Sequence, residues 1–342
     1  MARSQVTLDL GAVRRNARTL LRALDGAELW AVVKADGYGH GAADVARAAF
    51  EAGATVLCVA TVAEGLALRS ALGPARALVL GPTTAAETAA ARDAGLELVV
   101  AQGAIPEGIR THLKLDTGMG RWGLAELPAP GRDVVGLMSH FASADTDAEF
   151  TERQLQRFLD ATEPYTNLTR HIANSAGALR FPAARLDAAR CGIALYGISP
   201  FGTDPADDGL EPALRWDSEL AQVRRLAPGE STGYGRRFVA EAPTWIGIVP
   251  VGYADGFRRD LTGTEVRVAG AAHRVLGTIS MDAFAVELDR ELSVGTAVTL
   301  LGEGVLAEGH ARVAGTIAYE LVTGIRSGPE RASRTVVEGK RP

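Results

Sequence analysis

Residues 31–41 read Ala31-Val32-Val33-Lys34-Ala35-Asp36-Gly37-Tyr38-Gly39-His40-Gly41. A short apolar run, Trp30 to Val33, delivers one lysine, and a turn with glycines at 37, 39 and 41 follows at once. Strand, charged residue, glycine turn and helix is the layout of an α/β barrel's catalytic rim. A lysine there suits imine formation with an aldehyde, because a partly desolvated ammonium gives up its proton readily. The usual aldehyde is pyridoxal 5′-phosphate (PLP). An ordinary solvated lysine fits the same position, so the chemical reading leans on the flanking Asp36, Tyr38 and glycines.

Outward from this stretch, short runs rich in Val, Leu and Ile alternate with Ala-rich runs of helical spacing. The strands are expected at 30–35, 56–61, 77–81, 96–100, 111–116, 134–141, 168–174 and 188–195. Helices are expected near 11–25, 42–52, 62–71, 84–94 and 150–161. Two connections, 101–110 and 121–133, are too short and too rich in Gly and Pro for a full crossover helix. The pattern predicts a (β/α)8 TIM-like barrel with two reduced crossover helices. Past residue 212 helical spacing fades, and short strands are expected at 219–226, 245–251, 265–269, 284–288 and 296–301. The expected domains are therefore 1–211, the barrel, and 212–342, a mostly antiparallel C-terminal β domain, with Glu211-Pro212 at the boundary.

The chain has 342 residues, 47% hydrophobic and 23% charged, with a net charge of -5. That is enough for a large core and more than one domain, and no basic stripe suggests nucleic acid. Cys58 and Cys191 both sit in apolar runs and read as buried thiols rather than a bridge. No signal-peptide core and no membrane-spanning run is seen, so a cytoplasmic location is expected. No metal-ligand pattern is expected.

Five further clusters carry chemistry. In Lys114-Leu-Asp116-Thr-Gly-Met-Gly-Arg121, a strand ends at a glycine turn, and Arg121 offers a fork to a carboxylate. His140, in Ser139-His140, closes another strand. Asn174-Ser175-Ala-Gly177 opens a helix whose N–H groups suit a phosphate, or are simply capped. Arg190-Cys-Gly192-Ile193 follows the last barrel strand, where such barrels cup phosphates, and Gly192 permits close approach. The β domain holds Tyr234, Tyr253, Met281-Asp282 and Tyr319, tyrosines flanked by small residues and glycines.

In this order and over nearly the whole chain, these clusters resemble the alanine racemases of the PLP-dependent fold-type III enzymes. The resemblance implies two-base interconversion of L-alanine and D-alanine, supplying D-alanine for peptidoglycan. It also implies a homodimer, in which one subunit's barrel meets the other's β domain. Residue by residue, Lys34 matches the lysine that holds PLP and is the base for the D enantiomer. Tyr234 matches the second base, for the L enantiomer, given across the dimer. Tyr38, Ser175, Gly192, Ile193 and Tyr319 match phosphate contacts, and Arg190 the arginine facing the pyridine nitrogen with His140 behind it. Arg121 and Met281 match substrate-carboxylate contacts, Met281 through its backbone N–H. Lys114 matches a lysine often carbamylated, Tyr253 and Tyr319 resemble the narrow way into the site, and Asp282 is a supporting residue. Thr278 departs, standing where many members carry an arginine. The alternatives are a broader amino-acid racemase of the same fold and a non-catalytic PLP-binding protein.

Overall fold

The computed structural model describes residues 3–339, and the chain divides into two compact units. The first to consider is the barrel, formed by residues 13–201 and 206–211. Its strands are β2 (Glu28–Val32), β3 (Val56–Val59), β4 (Ala77–Val79), β5 (Glu97–Val100), β6 (Thr111–Lys114), β7 (Val134–Met138), β8 (Thr169–His171) and β9 (Ala188–Cys191), preceded in the chain by β1 (Gln5–Asp9). From β2 to β8 each strand pairs in parallel with the next, and β9 returns to pair with β2. The remaining seam carries the bonds Asp187 N–H to Arg170 O (3.1 Å) and Arg190 N–H to Ala173 O (3.0 Å), so the ring is nearly closed. Nearly every strand residue is buried, which is why these segments read as continuous apolar runs rather than alternating ones.

Helix α1 (Leu10–Leu24) leads into β2, and α3 (Ala42–Ala52), α4 (Val62–Leu72), α5 (Ala85–Asp93), α6 (Ala148–Thr162) and α7 (Ser175–Arg180) fill five crossovers. Capping boxes at Thr61/Glu64 and Thr84/Glu87 start α4 and α5, and Asp147 caps α6. The connections 101–110 and 115–133 contain no helix, as the Gly and Pro content predicts. Cys58 and Cys191 are buried and unbridged.

The short turn α2 (Lys34–Tyr38) is wound left-handed. Ala35, Asp36, Gly37 and Tyr38 have φ of 52°, 50°, 62° and 53°. Three of the four are not glycine, and each costs about 1–2 kcal/mol in this region. Neighbours enforce it. Ala35 N–H donates to Glu64 Oε1 at 2.7 Å, Ala42 N–H to Asp36 Oδ1 at 2.9 Å, and Gly37 N–H to Val33 O at 2.9 Å.

The second unit comprises the described residues up to Ala12, 202–205 and those from Pro212 onward. It contains β10 (Leu214–Glu219), β11 (Gln222–Leu226), β12 (Ser231–Thr232), β13 (Phe238–Val239), β14 (Thr244–Val249), β15 (Glu265–Val268), β16 (Ala271–Leu276), β17 (Phe284–Leu288), β18 (Ala297–Leu301) and β19 (Ser333–Val337). Nine strands form one sheet in the order β11-β14-β17-β16-β15-β18-β10-β1-β19. All of its pairings are antiparallel except β1 with β19. Phe257 stacks on Phe284 at 4.4 Å in its interior.

Three features depart from the sequence expectation. The unit boundary is not a single cut at 211/212, because β1 pairs with β10 and β19 and so belongs to the second unit. The strand expected at 219–226 is shorter: Glu219 ends β10, Leu220-Ala221 form a turn, and β11 occupies Gln222–Leu226. Helical structure returns in α8 (Ala307–Ala314) and α9 (Ala318–Thr323).

Four histidines, His112, His140, His171 and His310, are pushed below their ordinary value of 6.5, in each case first by burial. The folded state therefore keeps them neutral, whereas the unfolded chain protonates them below pH 6.5. The unfolded state then binds more protons, so stability falls as pH drops from about 6.5. Glu97 adds a later loss. Burial alone would raise it, but bonds from His112 and Arg76 hold it at about 2, so its contribution fades only below the usual carboxylate range. Urea unfolding at pH 7.5 and 5.5 is expected to show a lower midpoint at pH 5.5, with a slope approaching about 5 kcal/mol per pH unit if all four stay neutral. An unchanged midpoint would show that the folded state takes up as many protons as the unfolded one, so that these histidines protonate within the fold.

Candidate active site

The barrel's candidate residues stand at or just beyond the C-terminal ends of strands: Lys34 after β2, Lys114 ending β6, His140 after β7, Ser175 after β8, and Arg190, Gly192 and Ile193 at β9. This is the catalytic face of the architecture. The Lys34 amine is held below its ordinary value by burial and then by Arg121, despite the opposing charge of Glu64. Lys114 is lowered to about 8 by burial, Arg121 and Arg190. Lys114 Nζ and the Arg121 guanidinium lie 6.0 and 5.3 Å from the Trp122 ring centre, so two cations share one aromatic. Asp116 accepts the N–H groups of Gly118, Met119 and Gly120 and so shapes the loop that carries Arg121.

Arg190 is buried, and among the described residues no carboxylate lies within ion-pair distance of it. Nη1 donates to His171 Nδ1 (2.6 Å) and His171 O (3.0 Å). Nη2 faces Ser139 O (2.7 Å), His140 Nδ1 (3.0 Å) and Ile172 O (3.2 Å). Both terminal nitrogens are thus taken up by the protein, and Nε–H is left as the donor for a ligand. Burial lowers the guanidinium to about 10.

A second cradle forms around Gly192. A Cβ there would sit 2.6 Å from Tyr38 Oη, so any larger residue would push the tyrosine from its place. The Gly192 and Ala194 N–H groups point at Ser175 Oγ (3.2 and 3.3 Å), and Asn174 Oδ1 accepts the Gly177 N–H at the start of α7. The left-handed turn delivers Tyr38 here, its ring 5.0 Å from that of Tyr196. Converging N–H and hydroxyl groups suit a phosphate. The amine, the guanidinium Nε–H and this cradle together fit PLP.

In the second unit, Tyr234, Tyr253 and Met281 are 72%, 44% and 51% exposed. Tyr253 N–H bonds Ser280 O (3.1 Å) and Ala254 N–H bonds Met281 O (3.0 Å), which ties the Tyr253 loop to Met281. Thr278 hydroxyl donates to Tyr234 O at 2.8 Å. Thr278 also lines a cavity of about 460 Å³ with Tyr253, Arg237, Arg258 and Arg259, so other arginines supply positive charge near the position where Thr278 departs from the resemblance. Asp282 pairs with Arg331 (2.7 Å) and Arg3 (3.2 Å), and Tyr319 lies in α9.

Sequence reasoning missed Glu97, His112 and His171 as a connected set. The available signal was Thr111-His112-Leu113-Lys114, where His112 shares a strand face with Lys114.

No helix among the described residues is long and apolar enough to cross a membrane. Family models for "Alanine racemase, N-terminal domain" and "Alanine racemase, C-terminal domain" match residues 8–200 and 213–333. Alanine racemase of Lactiplantibacillus plantarum is 39% identical, covering 94% of this chain and 95% of that protein. The crystal structure of alanine racemase from D-cycloserine-producing Streptomyces lavendulae superposes with a TM-score of 0.91 at 36% identity, over 99% of this chain and 98% of that one. That from Bacillus anthracis with bound L-Ala-P gives 0.87 at 31% identity, over 100% and 96%. With both family models matched in order and relatives aligned nearly end to end, the chain belongs to the alanine racemase family.

Proposed function

We propose that the protein interconverts L-alanine and D-alanine with PLP held at Lys34, as a cytoplasmic homodimer supplying D-alanine for peptidoglycan. The observation that carries this reading is the pairing of a lysine amine of lowered basicity with a buried arginine, free of carboxylate partners, whose Nε–H is open. Bound PLP would draw electrons from the substrate Cα and make its proton removable. Lys34 and Tyr234 then move that proton on opposite faces. Arg190 donates toward the ring nitrogen without surrendering its proton, which keeps electron withdrawal weak and favours return of the Cα proton over side reactions. Tyr38, Ser175, Gly192, Ile193 and Tyr319 hold the phosphate. Arg121 and the Met281 N–H hold the substrate carboxylate, and a carbamate on Lys114 would turn its repulsion of Arg121 into attraction. The exposure of Tyr234 and Met281 supports a shared site, because a proton-transfer group works best shielded from water and a second copy can cover both.

The test is direct. Purified protein should absorb in the PLP region and racemise L- and D-alanine, with serine and larger amino acids slower. Equal rates on several amino acids would move the reading to a broader racemase, and cofactor binding without turnover to a non-catalytic protein.

A further inference from the structure

Behind Arg190 runs a chain of buried polar groups that the proposed reaction does not use. His171 Nδ1 meets Arg190 Nη1 at 2.6 Å, and His171 Nε2 meets His112 Nδ1 at 2.9 Å. His112 Nε2 meets Glu97 Oε2 at 2.9 Å. Glu97 in turn accepts from Arg76 (2.7 and 3.1 Å) and Arg110 (2.9 Å). His112 and His171 are fully buried and Glu97 is 3% exposed. Trp30 packs against both imidazoles, at 4.4 Å from His171 and edge-on at 5.6 Å from His112. Gly136 makes room for the set, since a Cβ there would fall 2.1 Å from His112 Nδ1.

Donor counting fixes every proton. A guanidinium only donates and a carboxylate only accepts. Arg190 therefore requires a bare Nδ1 on His171, whose Nε2 then carries hydrogen. That hydrogen requires a bare Nδ1 on His112, whose Nε2 carries the hydrogen that Glu97 accepts. All three bonds are satisfied in one direction only, from Arg190 to Glu97, with both imidazoles neutral. Arg190 favours that arrangement from one end of the relay, and Glu97, through His112, favours it from the other. A His171 with hydrogen on Nδ1 would point a donor at a donor and push the guanidinium off its seat.

We propose that Glu97 is a positioning residue for Arg190: through His112 and His171 it keeps His171 Nδ1 bare, so that the guanidinium is held as a donor into the site. The role of Arg190 toward the cofactor ring rests on the function proposed above. The proton order of the relay does not.

Glu97→Gln tests it with little change of shape. Oε1 accepts two guanidinium Nε–H groups, and Oε2 accepts one longer guanidinium N–H besides His112, so the amide keeps more arginine donors by turning its oxygen to the Oε1 place and its NH2 toward His112. His112 must then accept at Nε2 and carry hydrogen on Nδ1, and His171 must follow, which faces Nδ1–H against Arg190. The protein has six histidines, few enough to assign by single substitutions in the 15N-histidine-labelled holoprotein. Long-range proton–nitrogen spectra of the wild type should show Nε2–H tautomers at both His112 and His171. In Glu97→Gln both should move to Nδ1–H, with kcat down about tenfold or more and KM little changed, the range for partners behind a site group.

An Nδ1–H tautomer at either residue in the wild type overturns the proposal without any variant. So does Glu97→Gln with unmoved tautomers, or with moved tautomers and undiminished turnover. If the wild type racemises no amino acid, the proposed function fails while the tautomer result still decides the relay.

Discussion

Lys34→Ala is expected to lower racemisation at least about 10³-fold, or about 4 kcal/mol in activation free energy, because one substitution removes both the cofactor tether and a base. The fold should tolerate it. The left-handed turn is enforced by backbone N–H groups donating to Glu64, Asp36 and Val33, none of which uses the lysine side chain. Far-UV circular dichroism and the unfolding midpoint should stay near wild type. Borohydride reduction of the wild-type holoprotein should fix the cofactor on the peptide containing Lys34, and the variant should release it. A fixed cofactor on Lys114, the other lysine of lowered basicity at this rim, would reassign the tether.

Tyr234→Phe is expected to lower kcat/KM by about 10²–10⁴-fold, the range for one positioned proton-transfer group. The loss must be equal in both directions, because L- and D-alanine have the same free energy in water and the equilibrium constant cannot change. The asymmetry shows instead in solvent exchange. In deuterated water, Lys34 should still exchange the Cα proton of D-alanine without inverting it, while exchange into L-alanine falls with racemisation. L-alanine exchanging as fast as D-alanine would remove Tyr234 from its role. Mixing Lys34→Ala with Tyr234→Phe adds the test of assembly. If each site draws its lysine from one chain and its tyrosine from the other, a mixed dimer holds one intact site and one doubly broken one. Its activity should then approach about half that of a wild-type dimer. Proven subunit exchange without recovery would place both bases on one chain.

The barrel was legible because its strands are buried on both sides, so eight apolar runs stand out, and because Gly and Pro mark the two connections without helices. The N-terminal strand was not. Gln5–Asp9 is five residues of alternating burial, and what makes it a strand is pairing with residues more than 200 positions away. The turn at Leu220-Ala221 has no Gly or Pro to announce it. The left-handed conformation of Ala35, Asp36 and Tyr38 is imposed by tertiary hydrogen bonds, and only Gly37 hinted at it. Within the site, Lys34, Tyr38 and Gly192 were readable because each follows a strand in a small-residue context, and Arg190 because it stands one place before the end of one. Glu97 was not, because its meaning depends on His112 and His171 from two other strands and on the space left at Gly136.

The pairing of β1 with β10 has a consequence for how the polypeptide is made. Asp9 N–H bonds Ala213 O at 2.8 Å, so the points where the chain leaves and re-enters the nine-stranded sheet are adjacent. Topologically the barrel is a guest spliced into one hairpin of its host. Residues 13–211 emerge from the ribosome as a nearly contiguous block able to collapse early, while the first strand must wait for β10 on one flank and, on the other, for β19, the last described strand of the chain. The nascent chain therefore carries an unpaired strand edge throughout synthesis. Its alternating Gln5, Thr7 and Asp9, polar at every second place, make that edge a poor template for stray pairing.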